Sequence, residues 1–160
     1  MLTLERLRTD HAPALLAFER ENRDYFARSV SDRGDAYFAE FPARHRALLA
    51  EQDAGVCHFH VAVDEQGNLV GRVNLVDVAD GAAELGYRIA ERAAGRGTAT
   101  AAVAEVCRLA ASAYRLSSLI AVTTLDNAAS RTVLERNGFT AVEEITLVGR
   151  PGMRYRRLLA

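Results

Sequence analysis

The chain has no lysine and no tryptophan, and it carries only two cysteines and three prolines in 160 residues. Cys57 and Cys107 stand in separate segments without CxxC spacing, so neither a zinc knuckle nor a disulfide framework is indicated. Reduced thiols and a cytoplasmic setting are expected. No stretch approaches the roughly 18 uninterrupted apolar residues of a membrane span, and the N-terminus lacks the apolar core of a signal peptide. No membrane partner is expected. Nor does one sign of charge dominate: 21 acidic residues face 20 arginines, a net charge of −1. That removes the general electrostatic case for nucleic acid as a partner. Repeats and low-complexity segments are lacking too. What remains, 49% hydrophobic and 26% charged, reads as one soluble domain over residues 1–160, able to bury a core.

The most informative stretch is residues 84–107, ELGYRIAERAAGRGTATAAVAEVC. Leu85, Tyr87 and Ile89 alternate, which predicts a strand over 84–90. Residues 91–97 hold Gly95 and Gly97, a turn in which positive φ and close backbone approach are permitted. From Thr98 the apolar positions Ala102, Val103, Val106, Cys107 and Ala110 recur at helical spacing, predicting an amphipathic helix to about Tyr114. A strand, a glycine loop and a helix start together make an anion cradle, because free amides point one way and the helix dipole favours negative charge. A diphosphate held by the amides of Ala94, Gly95, Arg96, Gly97 and Thr98 is the natural occupant. Neither GxxxxGK[ST] nor the third glycine of the dinucleotide fingerprint is present, which disfavours a nucleotide phosphate site.

Elsewhere the patterns are plainer. Residues 2–7 alternate as an edge strand, and a helix is expected over 10–21 after Thr9 and Asp10. A second helical region covers 35–53, broken near Pro42. Between them 22–35 is polar and aromatic, read chiefly as a solvated connection and alternatively as a wall of an acceptor site. Strands follow at 56–63 and 69–78, joined by a hairpin-type loop. His58 and His60 share one face of the first of these. With no third ligand at a recognisable spacing, they read as partly exposed polar residues and no metal is expected. A buried strand at 119–124, a short helix capped by Asp126 or Asn127 and ending at Gly138, and strands at 139–148 and 153–159 complete the chain. The order β-α-α-β-β-β-α-β-α-β-β, about seven strands with about four helices, predicts an α/β or α+β fold with a mixed, mostly antiparallel twisted sheet.

Two motifs then carry a resemblance that covers essentially the whole chain. Arg92-x-x-Gly95-x-Gly97 resembles the pyrophosphate-binding segment of the GNAT superfamily of N-acetyltransferases. Asn127-x-x-Ser130-x-x-Val133-x-x-Arg136-x-Gly138-Phe139, one helix and one strand further on, resembles that superfamily's second signature. The combined form is similar to the RimJ/RimL branch, which acetylates ribosomal-protein N-termini. The resemblance implies the GNAT fold, acetyl-CoA as co-substrate, and a primary amine as acceptor, either a peptide N-terminus or a small molecule. It also implies that main-chain groups of Tyr87, Arg88 and Ile89 bond the pantetheine arm and the thioester carbonyl, an oxyanion contribution of about 3 kcal/mol if well aimed. Asn127 is expected to contact pantetheine, to cap its helix, or both. Arg92 and Arg96 either add charge at the diphosphate or are simply solvated.

The reaction needs a neutral amine. An alkylammonium of pKa about 10.4 is about 0.04% neutral at pH 7, whereas an α-amino group near 8 is about 10% neutral, a difference of roughly 3 kcal/mol. Glu84 is the candidate base, directly or through water, with a plain strand-end carboxylate as the alternative. Many GNAT enzymes place a tyrosine four residues before the glycine of the Gly-Phe pair, as donor to the departing sulfur. Here that residue is Leu134, and Ser130 is the replacement the resemblance offers, or else a serine bonding its own helix backbone. Neither cysteine is placed as a nucleophile, so direct transfer is expected. A non-catalytic acyl-CoA-binding module is the alternative reading. The acidic residues Glu19, Glu21, Asp24, Asp32, Asp35 and Glu40 would suit a cationic acceptor, while Arg150, Arg154, Arg156 and Arg157 would steer an acidic peptide or solvate edge strands. A homodimer through the last strands is conceivable.

Overall fold

The computed structural model describes residues 2–159. Its strands are β1 Thr3–Arg6, β2 His58–Val63, β3 Leu69–Ala79, β4 Ala82–Ile89, β5 Ser118–Thr124, β6 Thr140–Leu147 and β7 Arg150–Leu158. They form one sheet in the order β1-β2-β3-β4-β5-β7-β6. Every neighbouring pair is antiparallel except β4 and β5. The helices are α1 Ala12–Glu21, α2 Arg23–Ala27, α3 Asp35–Ala39, α4 Phe41–Asp53, α5 Thr98–Ser112 and α6 Ala128–Arg136. Both faces of the sheet are covered at β2 and β3, because alternate residues of these strands feed two different cores. Val73, Leu75, Leu85 and Ile89 join the buried stripe of α5 (Ala102, Val103, Val106, Cys107, Ala110) on one side. Phe59 and Val61 meet Leu15, Phe18, Phe26, Tyr37 and Phe41 on the other. Both cysteines are buried and free.

Six helices, not four, stand among the described residues. The helical region expected over 35–53, with a break near Pro42, is two helices: Glu40 leaves helical geometry at φ −101°, and Pro42 lies in the first turn of α4, where its missing N–H costs nothing. The solvated connection expected over 22–35 contains α2, because Phe26 is anchored in the core with its ring 5.5 Å from that of Phe18. Asn22, just before α2, is buried as well. Its amide donates to the Phe18 carbonyl at 2.9 Å, and its side-chain oxygen accepts from the Glu91 amide at 2.9 Å, which ties α1 to the loop after β4.

At the C-terminal end the turn lies earlier than the glycine and proline signals suggest. Val148 and Gly149, both at positive φ, make a two-residue hairpin, and Pro151 and Gly152 already belong to β7. A two-residue loop of the type I′ kind needs left-handed backbone at both central residues, a steric demand that overrides the usual placement of proline and glycine. β7 is therefore an inner strand between β5 and β6, and β6 is the edge.

Candidate active site

The parallel pairing of β4 and β5 is short. Ala82 meets Ser118, Ala83 meets Leu119, Glu84 meets Ile120, and there it stops. Beyond that point β4 follows β3 as far as Ile89, while β5 follows β7 as far as Thr124. The two strands diverge, and a cleft of about 1060 Å³ opens between them. That is at the upper end of the ~300–1,000 Å³ of small-molecule sites. Its walls come from the parted strands, the loop before α5, the outer turns of α6, α2 with residues 28–31, and the β6–β7 hairpin.

The loop before α5 has the properties of an anion cradle. Gly97 is the N-cap of α5 at φ 75°, and Gly95 stands at φ 73°. A Cβ added at either would meet nothing of the protein within 4 Å. Crowding is thus not the reason for glycine here; the left-handed backbone is, and the space in front of it is open. Hydrogen bonds close the loop from Ala93 N to Ala90 O (2.9 Å) and from Ala94 N to Glu91 O (3.0 Å), and the first helical bond runs from Ala101 N to Gly97 O (3.0 Å). None of these uses an amide between Gly95 and Thr100, so several donors remain at the positive end of a 15-residue helix. Ala94, Gly95, Gly97 and Thr98 line the cleft. The two arginines of this loop do not. Arg92 turns back to the Leu69 carbonyl at 3.2 Å and to Glu21 at 3.7 Å, and Arg96 is exposed outside the lining.

At the fork itself, Glu84 is the last β4 residue paired to β5. It lines the cleft half-buried, and its carboxylate bonds no other described residue. Tyr87 and Ile89 extend the same wall. The Tyr87 hydroxyl donates to Ser130 Oγ at 3.4 Å, and burial pushes the phenol above its ordinary pKa, with the serine bond opposing. The phenol is therefore a proton-bearing group at neutral pH. Asn127 caps α6 by accepting from the Ser130 amide at 3.1 Å, and it also lines the cleft. Leu134, in place of the expected tyrosine, is buried in the core.

Two contributions to the cleft escape sequence reasoning. The sequence assigns Tyr87 a main-chain part only, yet its phenol reaches α6. The hairpin residues Leu147, Val148 and Arg150 arrive from the far end of the chain. The aromatic pair Tyr25-Phe26 was the one visible signal for the α2 wall. His58 and His60, by contrast, lie outside the lining. His60 is buried rather than partly exposed; its Nδ1 bonds the Val73 carbonyl at 3.0 Å and its Nε2 the Tyr114 hydroxyl at 2.5 Å. His58 stacks on the Tyr114 ring at 3.7 Å.

A long open cleft between parted strands, with unpaired amides at one end and proton-carrying groups at the fork, suits a thioester borne on a diphosphate-containing arm. The chain belongs to the acetyltransferase (GNAT) domain family, whose model matches residues 1–140. Its fold is similar to that of the ribosomal-protein-S5-alanine acetyltransferase from Vibrio fischeri. The TM-score is 0.92 at 18% identity, covering 99% of this chain and 93% of that one. RimJ from Mycobacterium smegmatis, solved in complex with CoA-disulfide, follows at TM-score 0.88 and 22% identity, covering 98% and 81%. A mutant of the spermidine N-acetyltransferase SpeG from Vibrio cholerae matches at TM-score 0.79 and 17% identity, covering 99% and 94%. Among curated proteins none matches in sequence. No helix among the described residues is long and apolar enough to cross a membrane.

Proposed function

We propose that this domain transfers the acetyl group of acetyl-CoA directly to a primary amine, in the manner of the RimJ/RimL branch. The observation that carries this is the fork: β4 and β5 separate at Glu84, and the free amides of the Gly95–Gly97 loop face the same opening. The residues present fit the co-substrate. Amides of Gly95, Arg96, Gly97 and Thr98 would receive the diphosphate, whereas the Ala94 amide, expected among them, is held by the Glu91 carbonyl; unpaired main-chain groups of Tyr87, Arg88 and Ile89 would bond the pantetheine arm. Bound there, acetyl-CoA supplies an activated acyl thioester.

The chain's own groups do the proton work. Glu84, without a partner of its own, takes the proton from the incoming ammonium, directly or through water. A backbone N–H on β4 faces the carbonyl oxygen as charge builds on it. Ser130, backed by the buried phenol of Tyr87, returns a proton to the sulfur side. Buried Cys57 and Cys107 stand outside the cleft lining, in keeping with transfer that forms no acyl-enzyme. The test is to incubate the protein with acetyl-CoA and a panel of amines while following free thiol. Thiol release that depends on an amine and yields the N-acetyl product is the expected result. Absence of turnover on every amine, despite tight acetyl-CoA binding, would favour a non-catalytic acyl-CoA-binding module instead.

A further inference from the structure

The six acidic residues that in sequence would suit a cationic acceptor are nearly all committed within the fold. Asp32 and Asp35 clamp Arg23 at 2.8 and 2.9 Å, Glu21 meets Arg92, and Glu40 meets Arg44. Asp24 stands outside the cleft lining. Glu19 is buried under three arginines. Its oxygens accept from Arg72 at 2.8 Å and from Arg33 at 3.0 and 3.1 Å, which leaves Arg88 only a long contact of 3.5 Å. One carboxylate thus serves three guanidiniums, and the least satisfied of them lines the cleft.

Arg88 is also placed for a ligand. Glu84, Gly86 and Arg88 alternate on one face of β4, so all three project to the same side of the fork. A Cβ at Gly86 would meet nothing within 4 Å, and the floor between the two charged residues is open. The Arg88 guanidinium rests 4.9 Å from the Phe26 ring, which holds it over that floor. Burial first, and then repulsion from Arg33 and Arg72, lower its pKa against the pull of Glu19. An added anion would offset that repulsion. Of the other arginines in the lining, Arg28 faces Glu91 and Arg150 pairs with Asp126, while Arg136 is exposed on α6.

We propose that the acceptor is an amine carrying a carboxylate in the same molecule, with the amine directed to Glu84 and the carboxylate bound by Arg88. The proposal rests on the acetyl-transfer reading of the cleft. A planar guanidinium with unused donors is matched to a carboxylate, and a polyamine would meet like charge at the same place.

The experiment compares matched acceptors with the purified protein and acetyl-CoA, reading kcat/KM from thiol release. A peptide with aspartate after its N-terminal residue is paired with its asparagine analogue, a free amino acid with its amide, and spermidine is the cationic control. The two pairs separate a side-chain carboxylate from an α-carboxylate. In at least one pair the acid is expected to exceed its amide by about tenfold or more, as for a charged hydrogen bond. Arg88→Gln should bring that ratio close to one, and Arg88→Lys should restore part of it. Equal use of acid and amide in both pairs, preference for spermidine, or an unchanged ratio in Arg88→Gln overturns the proposal and leaves acetyl transfer standing. Should Arg88→Gln fail to fold, the wild-type ratios and Arg88→Lys decide it. Inactivity of the wild type on every amine would instead refute acetyl transfer, and this proposal with it.

Discussion

The hydroxyl of Tyr87 on β4 and that of Ser130 on α6 lie 3.4 Å apart across the cleft. This is long for an O–H···O bond, as proton-transfer contacts often are before substrate arrives. Leu134 of α6 occupies the place where the family pattern has a tyrosine, and under the proposed reaction the Tyr87 phenol, carried by β4, takes that part.

Removing either hydroxyl should slow turnover modestly. A leaving thiol of pKa about 8.5 is already roughly a quarter thiolate at pH 8 and needs little acid assistance, so Ser130→Ala and Tyr87→Phe should each lower kcat less than about tenfold there. The loss should grow below pH 7, where protonation of the sulfur is easier to supply than to forgo. If the two act as one relay, the double variant should be no slower than the worse single. Multiplicative losses would show that they act separately.

Glu84→Gln separates the two classes of acceptor. An alkylamine needs its proton removed, so kcat/KM at pH 7 should fall by about 100-fold. A peptide N-terminus, already about 10% neutral at that pH, should lose less than about tenfold. Equal losses on both would place Glu84 in structure rather than in proton transfer.

Gly97→Ala tests the cradle. The added methyl has room, so the cost is that of holding an L-residue at φ 75°, roughly 1–2 kcal/mol of stability, visible in a denaturant titration. Acetyl-CoA binding by calorimetry should weaken as well, since the amides would no longer converge. Unchanged affinity in a folded Gly97→Ala would remove this loop from the binding site.

Buried His60, bonded to Tyr114, predicts an acid limit to stability. With Nδ1 facing the Val73 carbonyl, Nε2 is left to accept from the Tyr114 hydroxyl, so the neutral ring is the one that fits. Burial holds the folded pKa to about 4, against 6.5 for the free imidazole. The unfolded chain therefore takes up the proton first as pH falls. This stabilisation is complete above pH 6.5, declines between 6.5 and 4, and amounts to about 3 kcal/mol once lost. Unfolding free energy measured over that window should slope accordingly, and His60→Gln should flatten the slope.

Whatever depends on near neighbours could be read from the chain alone. The alternation of Leu85, Tyr87 and Ile89, the two left-handed glycines, the apolar stripe of α5 and the Asn127 cap all lie within a turn or two of chain, where periodicity and capping chemistry act directly. Those features were enough to locate the glycine loop and the strand that ends at it. Tertiary structure decided which side chains meet. Tyr87 finds Ser130 at a separation of 43 residues, His60 finds Tyr114 at 54, and Arg88 finds Glu19 at 69. Arg92 and Arg88 look alike in the sequence, yet the first turns away and the second faces the cleft. Glu19, Glu21, Asp32 and Asp35, part of an acidic set so numerous on paper, are committed to arginines brought to them by folding. The physical reason is that hydrogen-bond and charge partners are chosen by strand order and by where β4 leaves β5. Local periodicity records neither.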